Sequence, residues 1–234
     1  MSLECDLTNE LKRRGADFVY FVDVSHLAEV QNKGYAHAIL LGIALSREYL
    51  QKVACTTEYV KNMVLNDEVE EDEFHLMEIK ADDLADLMAE YLIGKGYSAY
   101  SQSENNILKT GYFNEEEHRT PLPHKTIAGL AGLGWIGKHN LLVTPEYGSA
   151  ICMCSVLTDA PLETILKKPL DSLCGDCTVC KDVCQVNAIK GNLWDYDVER
   201  DEIVDVYKCT TCLACMVFCP WTVLYTRSCE NAKV

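Results

Sequence analysis

The chain carries the stretch Cys174-Gly-Asp-Cys177-Thr-Val-Cys180-Lys-Asp-Val-Cys184, and the same cysteine spacing recurs in Cys209-Thr-Thr-Cys212-Leu-Ala-Cys215-Met-Val-Phe-Cys219-Pro220. Both stretches follow the pattern C-x2-C-x2-C-x3-C. Three thiolates in so short a loop can hold three irons of one cubane cluster, whereas the fourth lies past a tight turn and points at the neighbouring cluster. The doubled pattern therefore predicts two 4Fe-4S clusters and electron transfer.

Each motif is expected to lend its last cysteine to the other motif's cluster, as in bacterial two-cluster ferredoxins. The first thiol set is then Cys174, Cys177, Cys180 and Cys219. The second thiol set is Cys209, Cys212, Cys215 and Cys184. Pro220 follows the second motif, whereas Gln185 takes the equivalent place in the first, a difference that changes only the turn after Cys184.

Zinc is the main alternative ligand, because paired C-x2-C units also make tetrahedral zinc sites. Such sites usually use two separate pairs, whereas the x2, x2, x3 spacing crowds too many thiolates around one ion. A disulfide framework is disfavoured further, since repeated Cys-x-x-Cys runs are poor structural bridges and the chain has the character of an intracellular protein.

The chain is long enough for one domain or two modest ones, with 234 residues of which 48% are hydrophobic. We place the start of the cysteine module near Pro169. This boundary predicts an α+β domain over residues 1–168 and a ferredoxin-like domain over 169–234. The first domain is far larger than a free ferredoxin requires, so it must do something besides carry electrons.

The composition restricts the partners and the compartment. The formal net charge is -15, and nucleic-acid binding normally needs a basic surface, so the charge disfavours a nucleic-acid partner and mainly serves solubility. The first residues show no secretory signal, and no apolar run approaches the roughly 18 residues of a membrane span. Because 13 cysteines also indicate a reducing compartment, we expect a cytoplasmic protein with no membrane association.

The region before the cysteine motifs mixes helical and strand patterns. The predicted elements are a helix at 3–14, strands at 17–24 and 36–45, helical segments from 46 and around 84–92, a strand at 97–101, a helix at 124–131, and strands at 141–144 and 149–158. Residues 102–123 are expected to be irregular. His26 and His37 are interpreted as packed or solvent-facing, and Cys152 and Cys154 as small buried thiols. Cys5, Cys55 and Cys229 are assigned no chemistry.

A second informative segment is the glycine-rich stretch, residues 132–139, which reads Gly132-Leu-Gly134-Trp135-Ile136-Gly137-Lys138-His139. It satisfies G-x-G-x-x-G, but a dinucleotide fingerprint needs a strand before it and a helix after it, and the predicted order here is the reverse. We therefore expect these glycines to let the backbone approach a ligand or a neighbouring element closely.

Residues 122–221 resemble the cobalamin-dependent iron-sulfur reductases, especially the epoxyqueuosine reductases, with the reductive dehalogenases as more distant relatives. The resemblance rests on the glycine-rich stretch, Leu141-Leu142, Gly148-Ser149, Thr158-Asp159-Ala160-Pro161-Leu162, the first cysteine motif and Cys219-Pro220-Trp221. It implies an amino-terminal domain similar to flavin nitroreductases and a base-off cobalamin beside two 4Fe-4S clusters. It also implies electron flow from an external donor, such as a flavodoxin or ferredoxin, through the clusters to the cobalt, which reduces a small organic substrate.

The resemblance also suggests site residues. Those implied to lie near the corrinoid are Gly132, Gly134, Trp135, Ile136, Gly137, Lys138 and His139, with Lys138 meeting a phosphate or amide of the corrinoid tail. The family's catalytic acid is an aspartate in Arg-Asp-Tyr-His. The closest match here, Asp72-Glu73-Phe74-His75, makes Glu73 the candidate proton donor, although a glutamate in an acidic run is more often simply solvated.

Two further readings stay open beside the reductase. The resemblance implies that full-length relatives hold tRNA with a carboxy-terminal extension, which we do not expect in this chain, so the expectation is the family's core with a different substrate. One alternative function is a ferredoxin-type electron-transfer protein, which a fully packed space beside Gly134 would favour. The other is a corrinoid-handling protein without an organic substrate of its own. A pocket against the glycine-rich stretch, with one cluster facing it, would favour the reductase.

Overall fold

A computed structural model describes residues 2–195 and 197–227, and these residues form two compact units. The first unit comprises the chain up to Ile43, Leu76–Leu133 and Cys152–Pro169. The second comprises Ala44–His75, Gly134–Ile151 and the described residues from Leu170 onward. The domain boundary predicted after residue 168 lies next to the last border between the units, and the cysteine module shares its unit with two earlier stretches of chain.

The described residues contain helices and strands of both units. The helices are α1 (Leu3–Arg13), α2 (Glu29–Asn32), α3 (Arg47–Cys55), α4 (Tyr59–Asn66), α5 (Glu73–Gly94), α6 (Glu104–Lys109), α7 (His124–Leu130), α8 (Val179–Asp182), α9 (Arg200–Ile203), α10 (Ala214–Val217) and α11 (Pro220–Arg227). The strands are β1 (Phe18–Asp23), β2 (His37–Ala44), β3 (Ala99–Ser101), β4 (Trp135–Ile136), β5 (Leu142–Val143) and β6 (Ile151–Thr158). The predicted α+β class is confirmed.

The first unit is built on a four-stranded sheet in the order β1-β2-β6-β3. β1 pairs antiparallel with β2, so that Phe18 lies opposite Gly42. The ring of Phe18 covers that glycine, because a Cβ added to Gly42 would lie 2.0 Å from the ring. β3 pairs antiparallel with β6. The glycine thus lets an aromatic side chain pack flat on the sheet.

Helices α1 and α5 supply the rest of this core. Leu7 and Leu11 of α1 are buried at a spacing of four residues, which places them on one helix face. The buried residues of α5 recur every three or four positions: Ala81, Leu84, Ala85, Met88, Ala89 and Leu92. These side chains form one cluster with apolar residues of β2 and β6. The helices predicted at 3–14 and around 84–92 are therefore confirmed in α1 and α5.

The prediction that residues 102–123 are irregular is wrong at α6. The helix begins where the backbone N–H of Glu104 donates to the Asp82 carboxylate at 2.8 Å, and the Ser103 hydroxyl donates to Asp86 at 2.7 Å. A carboxylate from elsewhere in the fold thus satisfies an N–H that a short helix leaves unpaired at its start. A local sequence pattern contains no sign of such a contact.

The second unit contains the two-stranded β4–β5 sheet and the short helices of the cysteine region. Helix α3 packs against α10 and α11. α11 begins at Pro220, a residue whose fixed φ and missing N–H suit the first helical position. After Cys184 the chain instead turns, with Asn187 at φ 52°. In the part of the chain that the structure describes, no helix combines the length and apolarity needed to cross a membrane.

Candidate iron-sulfur site

Thiols from both cysteine motifs meet at one cavity of the second unit. The cavity has a volume of about 100 Å³, roughly that of three liquid water molecules. Its lining is Lys138, His139, Leu173, Cys174, Cys177, Cys180, Cys219, Pro220 and Trp221. All four members of the first thiol set are among these residues. The cavity therefore suits a compact inorganic group held by four thiols.

The loop of the first motif is shaped by its backbone and by one buried lysine. Gly175 has φ 44°, and the N–H of Cys177 donates to the carbonyl oxygen of Cys174 at 2.9 Å. Lys138 is buried, and its Nζ donates to the carbonyl oxygens of Gly175 at 2.7 Å and Cys177 at 3.0 Å. The ammonium thus fixes the turn that presents the first two cysteines.

The second thiol set is also gathered in one place. Burial raises the pKa of the Cys215 thiol to about 12, and the neighbouring Cys212, Cys209, Cys180 and Cys184 thiols add to that shift. The loop before α10 has left-handed backbone at Thr211, φ 51°, and at Leu213, φ 63°. Cys184 reaches this set from the first motif, and the Ala188 N–H lies 3.3 Å from its sulfur. Cys184 thus lies near Cys215 of the second motif, and its exchange into the second thiol set stays a prediction.

The electrostatics of the first thiol set resemble those of the second. Burial raises the pKa of Cys180 to about 11, and Cys174, Cys219 and Cys177 add to the shift in that order. Iron ligation requires thiolates, so the positive charge of bound iron would offset this mutual repulsion. Within the described residues, no three or more His, Cys, Asp or Glu side chains are grouped so as to hold a single metal ion.

The glycines of the glycine-rich stretch allow close packing within its own hairpin. A Cβ on Gly134 would lie 2.0 Å from the carbonyl oxygen of Val143, and one on Gly137 would lie 2.7 Å from Cε1 of His139. Gly132 has φ 69° and lies against Lys167. Of the two roles expected for these glycines, close approach to a neighbouring element is the one seen.

The side chains of the glycine-rich stretch are buried as well. Trp135, Ile136, Lys138 and His139 are all less than a tenth exposed. A corrinoid is many times larger than the cavity beside Lys138 and His139, so that cavity would not contain one. Contact of these residues with a corrinoid stays a prediction.

His139 links the hairpin to α11 through hydrogen bonds. Its Nδ1 accepts the N–H of Leu141 at 3.2 Å, so Nε2 carries the proton and faces the Ser149 hydroxyl at 3.5 Å. The N–H of Ser149 donates to Oγ1 of Thr222 at 3.1 Å. A Cβ on Gly148 would lie 2.3 Å from the Thr222 nitrogen, so this junction tolerates only glycine. The network holds the wall of the cavity in place.

The indole N–H of Trp135 is buried and has no hydrogen-bond partner among the described residues. The side chain is 1% exposed and packs in one cluster with Cys219 and Cys174. Its ring lies edge-on to Trp221, with centroids 5.0 Å apart. Buried donors normally have an acceptor, and a sulfur of a cluster held by these cysteines would supply one. The site therefore fits an iron-sulfur group.

The predicted catalytic residue, Glu73, stands at the start of α5 and is hydrogen-bonded to a helix cap. Its carboxylate accepts the N–H of Ser46 at 2.5 Å and the Ser46 hydroxyl at 2.7 Å. Ser46 in turn caps α3 by accepting the N–H of Tyr49 at 3.1 Å. The structure thus gives Glu73 a structural partner.

Sequence reasoning missed the polar cluster next to Glu73. Asp72 is 9% exposed and accepts hydrogen bonds from the hydroxyls of Tyr49 at 2.8 Å and Tyr59 at 2.7 Å. Burial, then the hydrogen bond to Asp72, raises the pKa of both tyrosines above the usual range. The only sequence signal was an acidic run beside two tyrosines on predicted helical faces.

The other singled-out side chains lie apart from the cavity lining. Nδ1 of His37 lies 2.7 Å from the carbonyl oxygen of Ala160. Cys152 and Cys154 are buried, as expected for packed thiols. Cys229 lies outside the described residues.

The chain is similar in sequence to part of several known proteins. No family model matches the chain. A curated epoxyqueuosine reductase from Synechococcus sp. (strain CC9605) is 48% identical over 71 residues, which are 30% of this chain and 22% of that protein. Among curated relatives of this kind, the chain spans from 17% to 42% of their length. The likeness is therefore to part of a longer enzyme.

Solved structures extend the likeness to nearly the whole chain. A reductive dehalogenase, described as suggesting a mechanism for B12-dependent dehalogenation, aligns with a TM-score of 0.61 at 23% identity, covering 94% of this chain and 32% of that one. An epoxyqueuosine reductase solved with an epoxyqueuosine-modified tRNA-Tyr stem loop aligns with a TM-score of 0.54 at 16% identity, covering 94% and 65%. The chain is thus similar to epoxyqueuosine reductases in sequence, and it shares a fold with them and with a reductive dehalogenase.

Proposed function

We propose that this chain is an iron-sulfur oxidoreductase that holds two 4Fe-4S clusters and a cobalamin and reduces a small organic substrate. The observation that carries the redox part is the cavity lined by the whole first thiol set, which draws on both cysteine motifs. The similarity to epoxyqueuosine reductases supports the reductase part. We further propose that residues 169–234 form a ferredoxin-type module, and that the domain over 1–168 resembles flavin nitroreductases and binds the corrinoid.

In this proposal the first and second thiol sets each ligate one cluster. Bound clusters supply one-electron transfer, and bound cobalamin supplies a metal centre for reduction of the substrate. Leu173, Pro220 and Trp221 line the first cavity and place apolar groups beside its sulfurs, and such surroundings tune a cluster's potential. Cys209 is exposed, so an external donor such as a flavodoxin or ferredoxin can approach the second thiol set.

The cobalamin part of the proposal rests on the likeness to the B12-dependent dehalogenase structure and on the family resemblance of the glycine-rich stretch. Gly132 and the buried segment from Gly134 to His139 are the residues we propose near the corrinoid. The corrinoid would lie outside the cavity of the first thiol set, because that cavity is about 100 Å³. We expect the protein to bind cobalamin at a surface outside that cavity.

Glu73 is our proposed proton donor, and its contact with Ser46 gives a clear test. If Glu73 only caps the chain at Ser46, turnover is retained in Glu73→Gln, because the amide oxygen can accept the Ser46 N–H and the amide NH2 group can donate to the Ser46 hydroxyl oxygen. If Glu73 donates a proton, the amide cannot replace it, and turnover falls by roughly 10²-fold or more while iron content stays constant. Ser46→Ala is the matched control, because it removes the cap and leaves the carboxyl group.

A small molecule is the proposed substrate class. One relative was solved with a tRNA stem loop, which makes an RNA the competing class. The formal charge of -15 opposes phosphate binding, which depends on basic side chains. Binding of a tRNA stem loop that weakens steeply with salt would overturn the small-molecule assignment.

A second candidate function, a ferredoxin-type electron carrier, is favoured by one observation. The space beside Gly134 is filled by the carbonyl group of Val143, so no ligand cavity opens at that glycine. In this case the clusters would serve a partner protein, and the rest of the chain would be a docking scaffold.

The deciding experiment is anaerobic iron-sulfur reconstitution followed by a visible-absorption titration with cobalamin. The proposal predicts about eight irons per chain, a saturable change toward base-off corrinoid, and turnover of an organic substrate. Eight irons with an unchanged corrinoid spectrum would favour the carrier, and corrinoid binding without turnover would favour corrinoid handling. A protein that takes up zinc and no iron would contradict all three. Cys5→Ser changes an exposed cysteine outside both motifs. As the control variant, it should bind as much iron and cobalamin as the wild type.

A further inference from the structure

Lys138 is a buried cation that lacks an acidic partner among the described residues. It is 8% exposed, its ammonium donates to two backbone carbonyls, and it takes part in none of the ion pairs found within those residues. A buried ammonium is costly unless a negative charge lies nearby. A negative group is therefore expected at this position in the working protein.

The first thiol set provides that negative group. Lys138 lines the same cavity as its four cysteines, and a cluster held by four thiolates carries net negative charge. Reduction makes the cluster more negative still, so a fixed positive charge at its edge stabilises the reduced form. Charge and hydrogen bonds near the sulfurs are among the factors that set cluster potentials.

Trp135 adds a second contribution from the same stretch of chain. Its indole N–H is buried without an acceptor among the described residues, and its side chain packs against Cys219 and Cys174. A donor left unpaired in a protein interior destabilises the fold, whereas a cluster sulfur would accept its hydrogen bond. An N–H bond to sulfur withdraws charge and also favours the reduced state.

We infer, building on the proposed function, that Lys138 and Trp135 raise the reduction potential of the cluster held by the first thiol set. This gives the glycine-rich stretch a role beyond the corrinoid contact that the resemblance implies. Its glycines let the hairpin fold tightly against Val143, and the tight hairpin brings one charge and one donor to the cluster. Lys138 then serves the cluster, and the corrinoid tail needs another partner.

The test is a redox titration of the reconstituted protein, monitored by electron paramagnetic resonance, with the second cluster as the internal reference. Cys174→Ser and Cys209→Ser assign the two signals. Lys138→Met should lower the reduction equilibrium constant of the first cluster about tenfold, which is 59 mV for a one-electron couple, and Lys138→Arg should keep most of the potential. Trp135→Phe, which retains an aromatic ring, should produce a smaller fall. Trp194→Phe, at a tryptophan that is not in the lining of the cavity, should produce none.

The outcomes separate this inference from the proposed function. Unchanged first-cluster potentials in Lys138→Met and Trp135→Phe, with both clusters present, would overturn the inference and leave the oxidoreductase standing. Weaker cobalamin binding by Lys138→Met at constant potential would assign Lys138 to the corrinoid tail instead, which also overturns it. If Lys138→Met fails to load iron, Trp135→Phe decides: a lowered first-cluster potential supports the inference, and an unchanged one overturns it. An iron-free wild type would refute the proposed function itself.

Discussion

The hydroxyl of Tyr49 donates a hydrogen bond of 2.8 Å to the buried carboxylate of Asp72. Tyr59 donates a second one from its side of the same carboxylate, and the two rings meet edge to face at 6.0 Å. A buried carboxylate needs such donors, because burying it without them is costly. These two hydrogen bonds therefore link α3 and α4 to the residue that precedes α5 within the second unit.

Removing the Tyr49 hydroxyl should destabilise the protein measurably. Tyr49→Phe leaves the ring in place and deprives Asp72 of one hydrogen bond, and bonds to charged groups are worth about 1.5–3 kcal/mol. We expect a loss of that size in the free energy of unfolding, measured by urea denaturation under anaerobic conditions. Tyr207→Phe, at a side chain that is 63% exposed, is the control and should change it little. Equal changes in the free energy of unfolding in the two variants would show that the hydrogen bond from Tyr49 to Asp72 adds no stability.

The same tyrosines predict a loss of stability at alkaline pH. Burial, and then Asp72, raise the pKa of Tyr49 and Tyr59 above their ordinary value, so the folded state holds these protons more tightly than the unfolded state. Their contribution is complete below the unfolded pKa of about 10 and is lost as pH rises beyond it. Unfolding free energies measured at rising pH should fall above pH ~10, and less steeply in Tyr49→Phe. If the unfolding free energy of Tyr49→Phe falls with pH as steeply as that of the wild type, this account is contradicted.

A methyl group at Gly134 should disrupt the hairpin beside the cavity. The added Cβ would meet the Val143 carbonyl oxygen at 2.0 Å, and relieving such an overlap costs typically about 1–3 kcal/mol. Gly94→Ala is the matched control, since nothing lies within 4 Å of its added Cβ. In thermal unfolding, Gly134→Ala should therefore have a clearly lower melting temperature than Gly94→Ala. Comparable melting temperatures would mean that the hairpin relaxes freely.

The sequence predicted the parts of this protein that depend on spacing. Leu84 and Met88 recur at helical intervals, and they lie in the core layer of α5. The repeated cysteine pattern predicts that Cys219 joins the first three cysteines of the first motif, and Cys219 lines the same cavity as they do. Its ligation of a cluster stays a prediction. These features follow from local geometry repeated along the chain.

Other features depend on contacts between distant segments and were not predictable from local patterns. α6 starts where Asp82 accepts the Glu104 N–H, a contact between residues far apart in sequence. Asp72 belongs to an acidic run, a pattern typical of a solvated segment, and only the fold places Tyr49 beside it. Gly134 suited either a ligand or a neighbouring element, and only the position of Val143 distinguishes the two.

The most direct test of the account is the identity of the cluster that is lost when the last cysteine of each motif is changed. Reconstituted Cys219→Ser should bind about half of the roughly eight irons and lose the same electron paramagnetic resonance signal as Cys174→Ser. Cys184→Ser should instead match Cys209→Ser. If Cys219→Ser loses the signal that Cys209→Ser loses, the second motif holds its own cluster, and the predicted exchange of ligands is wrong.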